Sequence, residues 1–126
     1  MSRLNSGLNI IVLSDDAERF RGALTIAIAD NALGRSARIF LQLDAVRLLA
    51  PPPIKAAQDD AHNANGLPSL SVLLDEALEC GVIIIACQSG LALAGLCASD
   101  IDPRIEAGGP ISFLKSVESD DRLLSV

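Results

Sequence analysis

The sequence predicts a single-domain α/β protein with a mainly parallel five-stranded sheet and helices on both faces. Short apolar runs, rich in β-branched residues, alternate with longer segments in which apolar residues recur at helical spacing. The resulting order, β-α-β-α-α-β-α-β-α-β, is typical of parallel sheets joined by helical crossovers. The 126 residues show no internal repeat and no linker, and domains most often contain about 100–150 residues. We therefore assign residues 1–126 to one domain.

The first strand is predicted over Leu8–Leu13, a short apolar run rich in β-branched residues, which is typical of a strand buried on both faces. Ser14, Asp15 and Asp16 follow it and offer side chains that can cap a helix. That helix is predicted from Ala17 to Leu33, with Gly34 as the residue after its end.

The second strand is predicted over Ala37–Leu43, and Asp44 is expected to cap a short helix that ends near Ala50. Three prolines, residues 51–53, stop this helix because proline cannot continue it. Residues 54–66 are polar and turn-prone, which predicts a flexible surface loop containing the single histidine, His62.

In the second half of the chain, Pro68 is expected at the first position of a helix that runs to Cys80 and ends at Gly81. The run Val82–Cys87 is the most strongly apolar in the sequence and predicts a buried strand. The remaining predicted elements are a helix over Ser89–Cys97, a short strand near Arg104–Glu106, a helix over Ile111–Ser119 and a strand over Arg122–Val126.

The composition excludes several classes of function. Aromatic residues make up only 2% of the chain and are all phenylalanine, so few rings are present to stack on bases. The formal net charge of −6 repels a phosphate backbone. The longest apolar run is far shorter than the ~20 residues that span a bilayer, and no hydrophobic signal region precedes the first strand. We expect a cytoplasmic protein without nucleic-acid or membrane partners.

Cysteine and glycine patterns predict neither a metal nor a cofactor. Three cysteines, an odd number, suit a reducing compartment rather than a disulfide framework. One histidine and the absence of a Cys-x-x-Cys pair disfavour a structural zinc site. Gly108-Gly109-Pro110 lacks both common phosphate-binding glycine patterns.

The candidate site lies where strands end, because ligands of open α/β sheets bind beyond the carboxyl ends of the strands. Cys87 closes the most apolar strand and directly precedes a predicted helix. A thiol facing the positive end of a helix dipole is favoured as the thiolate, which can attack a persulfide sulfur. We expect Cys87 to be the reactive group. The candidate binding residues are Gln88, Ser89, Gly90, Ser14 and Asp15.

Structural roles compete with each of these assignments. Free cysteines are among the most buried residues and commonly serve as small apolar side chains, which applies to Cys87 and also to Cys80 and Cys97. Asp15 and Asp16 suit helix capping as well as acid–base chemistry. His62 lies in a polar segment where solvation explains it equally well.

Nearly the whole chain resembles the DsrE/DsrF-like (YchN/TusD-like) sulfur-relay family, through the order and spacing of several segments. The matching segments are Ser14–Phe20, Arg38–Leu41, Asp44–Leu49, Leu73–Val82, Ile85–Cys87, Leu93–Leu96, Gly108–Gly109, Phe113–Leu114 and Asp121–Leu124. Two features depart from the family pattern: Gln88-Ser89-Gly90 replaces small aliphatic residues, and the stretch up to Gly66 is an insertion.

The resemblance implies a five-stranded sheet with Rossmann-like layering, and a homotrimer or homohexamer. It also implies that Cys87 occupies the position at which relay members accept persulfide sulfur from a donor protein and pass it to an acceptor protein. The leading hypothesis is therefore a sulfur carrier, or sulfurtransferase-like protein, acting through Cys87. Two alternatives remain open: a non-catalytic oligomeric module that binds a small ligand or a protein, and a thiol redox protein.

Overall fold

The computed structural model describes residues 6–126, and the five predicted strands are present in the predicted order, joined by helical segments. The strands are β1 (Leu8–Val12), β2 (Ala37–Leu41), β3 (Ile83–Cys87), β4 (Glu106–Gly108) and β5 (Arg122–Ser125). The helices are α1 (Ala17–Ala32), α2 (Asp59–Ala64), α3 (Leu70–Cys80), α4 (Gln88–Leu93) and α5 (Pro110–Lys115). Two 3-10 segments cover Leu43–Leu49 and Ala98–Asp100.

The five strands form one parallel sheet in the order β4-β3-β2-β1-β5. The first three crossovers step in one direction across the sheet, and the α5 crossover returns to place β5 beside β1. Because such crossovers are right-handed, α1 and α3 share one face and α5 covers the other. Contact between α1 and α3 agrees with this arrangement. The predicted fold class is thus confirmed.

The core follows from the alternation of side chains along the central strand β2. Ile39 and Leu41 are buried beneath α1 and α3, whereas Phe40 is buried on the opposite face. On that face the Phe40 ring stacks against the ring of Phe113 in α5, with 5.1 Å between centroids. The Phe40–Phe113 stack therefore anchors α5 to the sheet.

Both ends of α1 lie where the sequence places them. The Asp16 carboxylate caps the helix, accepting hydrogen bonds from the backbone N–H groups of Glu18 and Arg19 at 2.9 and 3.1 Å. Gly34 follows the helix with a φ of +87°, the left-handed conformation that glycine adopts readily.

Three predicted helix ends are wrong by a few residues. α3 begins at Leu70 with Ser69 as its N-cap, and not at Pro68, whose carbonyl oxygen accepts a hydrogen bond from Arg21. α4 ends at Leu93 instead of Cys97, since Gly95 takes a φ of +71° just beyond it. The helix predicted over Ile111–Ser119 is the shorter α5, with Pro110 in its first turn.

The segment after β2 also differs from its prediction. It is a 3-10 segment that begins at Leu43, and its N-cap is Gln42, which makes no side-chain capping bond. Asp44 therefore does not cap it, because a chain that turns two residues earlier places Asp44 inside the first turn. Leu43 itself has a φ of +45°.

The segment 54–66, expected to be a loop, contains the helix α2. Asp59 connects it to the rest of the fold by accepting hydrogen bonds from the Ala56 and Leu70 N–H groups and from the Arg21 guanidinium. His62 contacts Glu18 in α1, with 3.1 Å between Nε2 and Oε1. The sequence does not predict α2, because its residues lack an apolar face and none of them is buried.

Apolar side chains are exposed in the segments that leave the carboxyl ends of the strands; they are Leu13, Leu43, Leu93 and Ile111. The homo-oligomer implied by the family resemblance stays a prediction, and it would give these side chains a surface to pack against. Across residues 6–126, no helix combines the length and apolar character that a bilayer crossing requires.

Candidate functional site

Cys87 lies at the carboxyl end of β3 and is the N-cap residue of α4, as the sequence predicts. Cys87 is only 1% exposed, whereas Cys80 and Cys97 are both exposed, and all three are free thiols. The Cys87 thiol is therefore closed to solvent in the protomer, and its predicted reactivity stays a prediction.

Gly90 explains why the chain is so tightly packed beside Cys87. A Cβ atom at position 90 would lie 2.3 Å from the carbonyl oxygen of Leu43, far inside van der Waals contact. The first turn of α4 is thus pressed against the backbone that follows β2. Gly90, predicted as a binding residue, is buried and has a packing role.

The structure does not bring Ser14 and Asp15 to Cys87. They follow β1, and β2 lies between β1 and β3, so two strand spacings of about 4.8 Å separate the two strand ends. Asp15 is exposed, and the carboxylate that caps α1 belongs to Asp16. The predicted site residues therefore lie at two separate positions along the edge of the sheet, one after β1 and one after β3.

A polar groove of about 330 Å³ lies between α5 and the strands β3 and β4. Gln88 is the one predicted binding residue that lines it; Ser89 is exposed next to it in sequence but does not. The full lining is Arg38, Ile85, Gln88, Glu106, Ala107, Gly108, Gly109, Ser112, Phe113 and Ser116. Because side chains alternate along β3, Cys87 is on the same face of the sheet as Ile85 and thus on the groove face.

Arg38 is the functional candidate that the sequence prediction missed. Its Nε donates to Asn9 Oδ1 at 2.8 Å and its Nη1 donates to Ser116 Oγ at 2.5 Å. The guanidinium also lies over the Phe113 ring, 4.7 Å from the centroid. The sequence does contain a signal for Arg38, since it is a basic residue in an otherwise apolar strand. An arginine in a buried strand requires polar partners, so its presence indicates a polar site in the fold.

The charge of Arg38 is not matched by a direct ion pair. Within residues 6–126, no carboxylate lies within ion-pair distance of Arg38. In contrast, Arg21, Arg35, Arg104 and Arg122 each contact at least one carboxylate.

Asp121 is linked to Arg38 only through Asn9, whose amide nitrogen lies 3.4 Å from an Asp121 oxygen. The Asp121 carboxylate accepts hydrogen bonds from the backbone N–H groups of Glu118 and Gly7. These bonds, and to a smaller degree those from Asn9 and the charge of Arg38, hold the pKa of Asp121 below its usual range. The carboxylate is thus already satisfied by the backbone, and Arg38 keeps a partly buried positive charge beside an open groove.

Metal ligation finds no support in the described residues. Across residues 6–126, no three His, Cys, Asp or Glu side chains lie close enough to hold a metal ion. His62 is hydrogen-bonded to Glu18 and not to a thiol. The pKa of Glu18 is lowered mainly by the hydrogen bond from Arg21 and then by the one from His62.

The parallel five-stranded sheet with helices on both faces is an α/β fold of the DsrE/YchN-like type, and solved structures share this fold. The ychN protein of E. coli is similar over 97% of this chain and 99% of its own, with a TM-score of 0.66 and 13% sequence identity.

Two proteins of unknown function are similar as well. MTH1491 from Methanobacterium thermoautotrophicum matches 97% of this chain and 100% of its own, with a TM-score of 0.69 and 12% identity. BT1422 from Bacteroides thetaiotaomicron matches 100% of this chain and 99% of its own, with a TM-score of 0.67 and 21% identity. Neither a protein-family model nor a curated protein sequence matches the chain.

Proposed function

We propose that the protein is a non-catalytic binding module that takes a small anion, or the anionic group of a small molecule, in the groove between α5, β3 and β4. The observation that carries this proposal is Arg38, a partly buried guanidinium that lines the groove without a direct carboxylate partner. Hydrogen bonds between a charged donor and an anion are about twice as strong as neutral ones.

The rest of the groove supports an anion at the Arg38 end. Ser112 and Ser116 line the groove together with Arg38. The Ser112 hydroxyl can donate a hydrogen bond to an anionic oxygen, whereas the Ser116 hydroxyl donates to the Phe113 carbonyl oxygen and accepts from Arg38, which holds the guanidinium at the groove. Glu106 also lines the groove, but its partner in the sheet is Ile85, whereas Arg38 pairs with Ile83 two residues earlier along β3. The anion therefore lies toward Ser116, away from Glu106.

Arg38→Gln is expected to weaken the binding of sulfate or phosphate by about tenfold or more, since an interaction with a charged group contributes ~1.5–3 kcal/mol. Isothermal titration of the full chain with sodium sulfate at low ionic strength measures this. Glu106→Gln removes a repelling charge and should tighten binding. The matched control is Arg47→Gln, which removes the same charge from an exposed position outside the groove. Equal weakening by Arg38→Gln and Arg47→Gln would contradict the proposal.

A second candidate function is persulfide transfer through Cys87. It is favoured by the position of Cys87 at the end of β3 on the groove face, and by the sequence resemblance to sulfur-relay proteins. In that reaction the Cys87 thiolate attacks the outer sulfur of a donor persulfide. The donor's S–S bond breaks, its thiolate leaves with the electron pair, and Cys87 becomes the persulfide. Because Cys87 is 1% exposed, this step requires the packing around α4 or α5 to open first.

Thiol labelling of the native protein separates the two candidates. We expect iodoacetamide to modify Cys80 and Cys97 well before Cys87, because reactivity requires access as well as a thiolate. In a Cys80→Ser/Cys97→Ser background, a small-molecule persulfide should then leave the intact mass unchanged. A gain of about 32 Da, the mass of one sulfur atom, that is lost after Cys87→Ala would show sulfur transfer and decide against a purely non-catalytic role.

A further inference from the structure

A second cavity lies on the opposite side of the sheet from the polar groove, beside α3. It has a volume of about 420 Å³, which falls within the ~300–1,000 Å³ typical of small-molecule sites. Its walls are the end of the 3-10 segment Leu43–Leu49, the proline turn that follows, one side of α3, and the chain before β4. Its apolar lining consists of Leu48, Leu49, Ala50, Pro51, Pro53, Ile54, Val72, Leu74 and Leu78.

The polar lining of this cavity is mostly acidic. Asp75, Asp100 and Asp102 line it together with Arg104 and Ser71, which leaves two negative charges in excess. Arg104 donates to both Asp102 oxygens and to Asp75 Oδ1, at 2.7 to 3.0 Å.

Not all of the carboxylate oxygens have a hydrogen-bond partner within the protein. Asp100 uses Oδ2 to accept the Cys97 N–H at 2.7 Å. In the described chain, Asp75 Oδ2 and Asp100 Oδ1 make no hydrogen bond to protein, so each can still accept one from a ligand. The cavity thus combines an apolar floor with free anionic acceptors.

We propose that this cavity binds a small amphipathic amine, with its hydrocarbon part on the Leu48, Leu74 and Leu78 side chains and its ammonium group at Asp75 and Asp100. The apolar floor favours a hydrocarbon chain because burial yields ~25 cal/mol per Å² of apolar surface removed from water. The excess negative charge selects the head group: it attracts a cation and repels a carboxylate. The site is independent of the proposed anion groove, which lies on the α5 face and is lined by Arg38.

Three probes with the same hydrocarbon chain test the proposal: n-octylammonium, 1-octanol and octanoate. Each is titrated into the full-length ¹⁵N-labelled protein at low ionic strength, and binding is located from backbone amide shifts. We expect n-octylammonium to shift the amides around Leu48, Val72 and Leu78, and to bind about tenfold more tightly than octanoate. Equal affinities for n-octylammonium and octanoate, shifts located elsewhere, or no binding of n-octylammonium would each overturn the proposal.

Charge variants then identify the head-group contact. Asp100→Asn should weaken the binding of n-octylammonium by about fivefold, because it removes one exposed charge interaction. The affinity for 1-octanol, which carries no charge, should be unchanged. The matched control is Glu76→Gln, which removes the same charge from an exposed position on α3 outside the cavity. The same loss in Glu76→Gln as in Asp100→Asn would show that only the net charge of the protein matters, and would overturn the assignment.

Discussion

Replacing Gly90 by alanine is expected to lower the free energy of unfolding by about 3 kcal/mol, the upper part of the usual range for overpacking. The added Cβ would lie 2.3 Å from the Leu43 carbonyl oxygen and 2.9 Å from the Leu43 carbonyl carbon and Cα. All three are backbone atoms, so the overlap is not relieved by rotating a side chain. Relief requires α4 and the 3-10 segment to separate, which disturbs buried residues of both elements, including Leu91 and Val46.

Urea unfolding followed by circular dichroism measures this loss, and Gly22→Ala provides the matched control. Gly22 lies inside α1, is exposed, and has nothing within 4 Å of the position of an added Cβ. Alanine there should stabilise the protein by ~0.5–1 kcal/mol, because glycine is unfavourable within a helix. A loss of under ~1 kcal/mol in Gly90→Ala, smaller than typical overpacking costs, would show that the two segments move apart easily.

The order of strands and helices could be predicted because the chain's periodicity is local information. Short apolar runs mark β1 and β3 as buried strands, and Gly34 and Gly81 mark the ends of α1 and α3. The predicted start of α3 is wrong because contacts between residues distant in sequence decide where this helix begins. α3 begins at Leu70 rather than at Pro68, and the Asp59 carboxylate accepts the N–H of Leu70 at this helix start.

The site could be predicted by position but not by accessibility. Cys87 ends β3 and is the N-cap of α4 as expected, yet it is buried beside the close approach of Gly90 to Leu43, which no local pattern contains. Arg38 was visible in the sequence as a charge within an apolar strand. Its functional interest arises only in the fold, where it has neutral hydrogen-bond partners and an open groove beside it.

Arg21→Ala is expected to cost about 3–5 kcal/mol of stability, the range for removing one partner of a buried ion pair. The Arg21 side chain is 7% exposed and donates to the Asp59 carboxylate at 2.6 Å, to Glu18 at 2.9 Å and to the Pro68 carbonyl oxygen at 2.9 Å. Its loss leaves Asp59, which is 14% exposed, with a largely buried charge. Glu18→Gln should cost less stability than Arg21→Ala, because the Glu18 side chain is 45% exposed. Exposed ion pairs contribute ~0–1 kcal/mol.

The same cluster predicts how stability depends on pH. Burial acts to raise the pKa of Asp59, but hydrogen bonds from Arg21, Leu70 and Ala56 outweigh it and hold this pKa below its ordinary value, which is about 3.9. A carboxyl group whose pKa is lowered by folding stabilises the protein above its unfolded pKa, and this contribution is lost as the pH falls through the folded value. Unfolding free energies measured from pH 7 down to pH 3 should therefore fall below about pH 4.

Asp59→Asn should be less stable than the wild type at neutral pH, and its stability should fall less steeply below about pH 4, since asparagine does not titrate in this range. The variant keeps one oxygen that can accept the Leu70 N–H, but its amide nitrogen cannot accept the Ala56 N–H, so the change removes that hydrogen bond together with the charge interaction with Arg21. Parallel pH profiles for the variant and the wild type would contradict this role for Asp59. Because Asp59 joins α2 to α1 and to the first turn of α3, losing the charge should free residues 56–68 before the sheet unfolds. Hydrogen exchange in that segment should then accelerate ahead of exchange in β1 and β2.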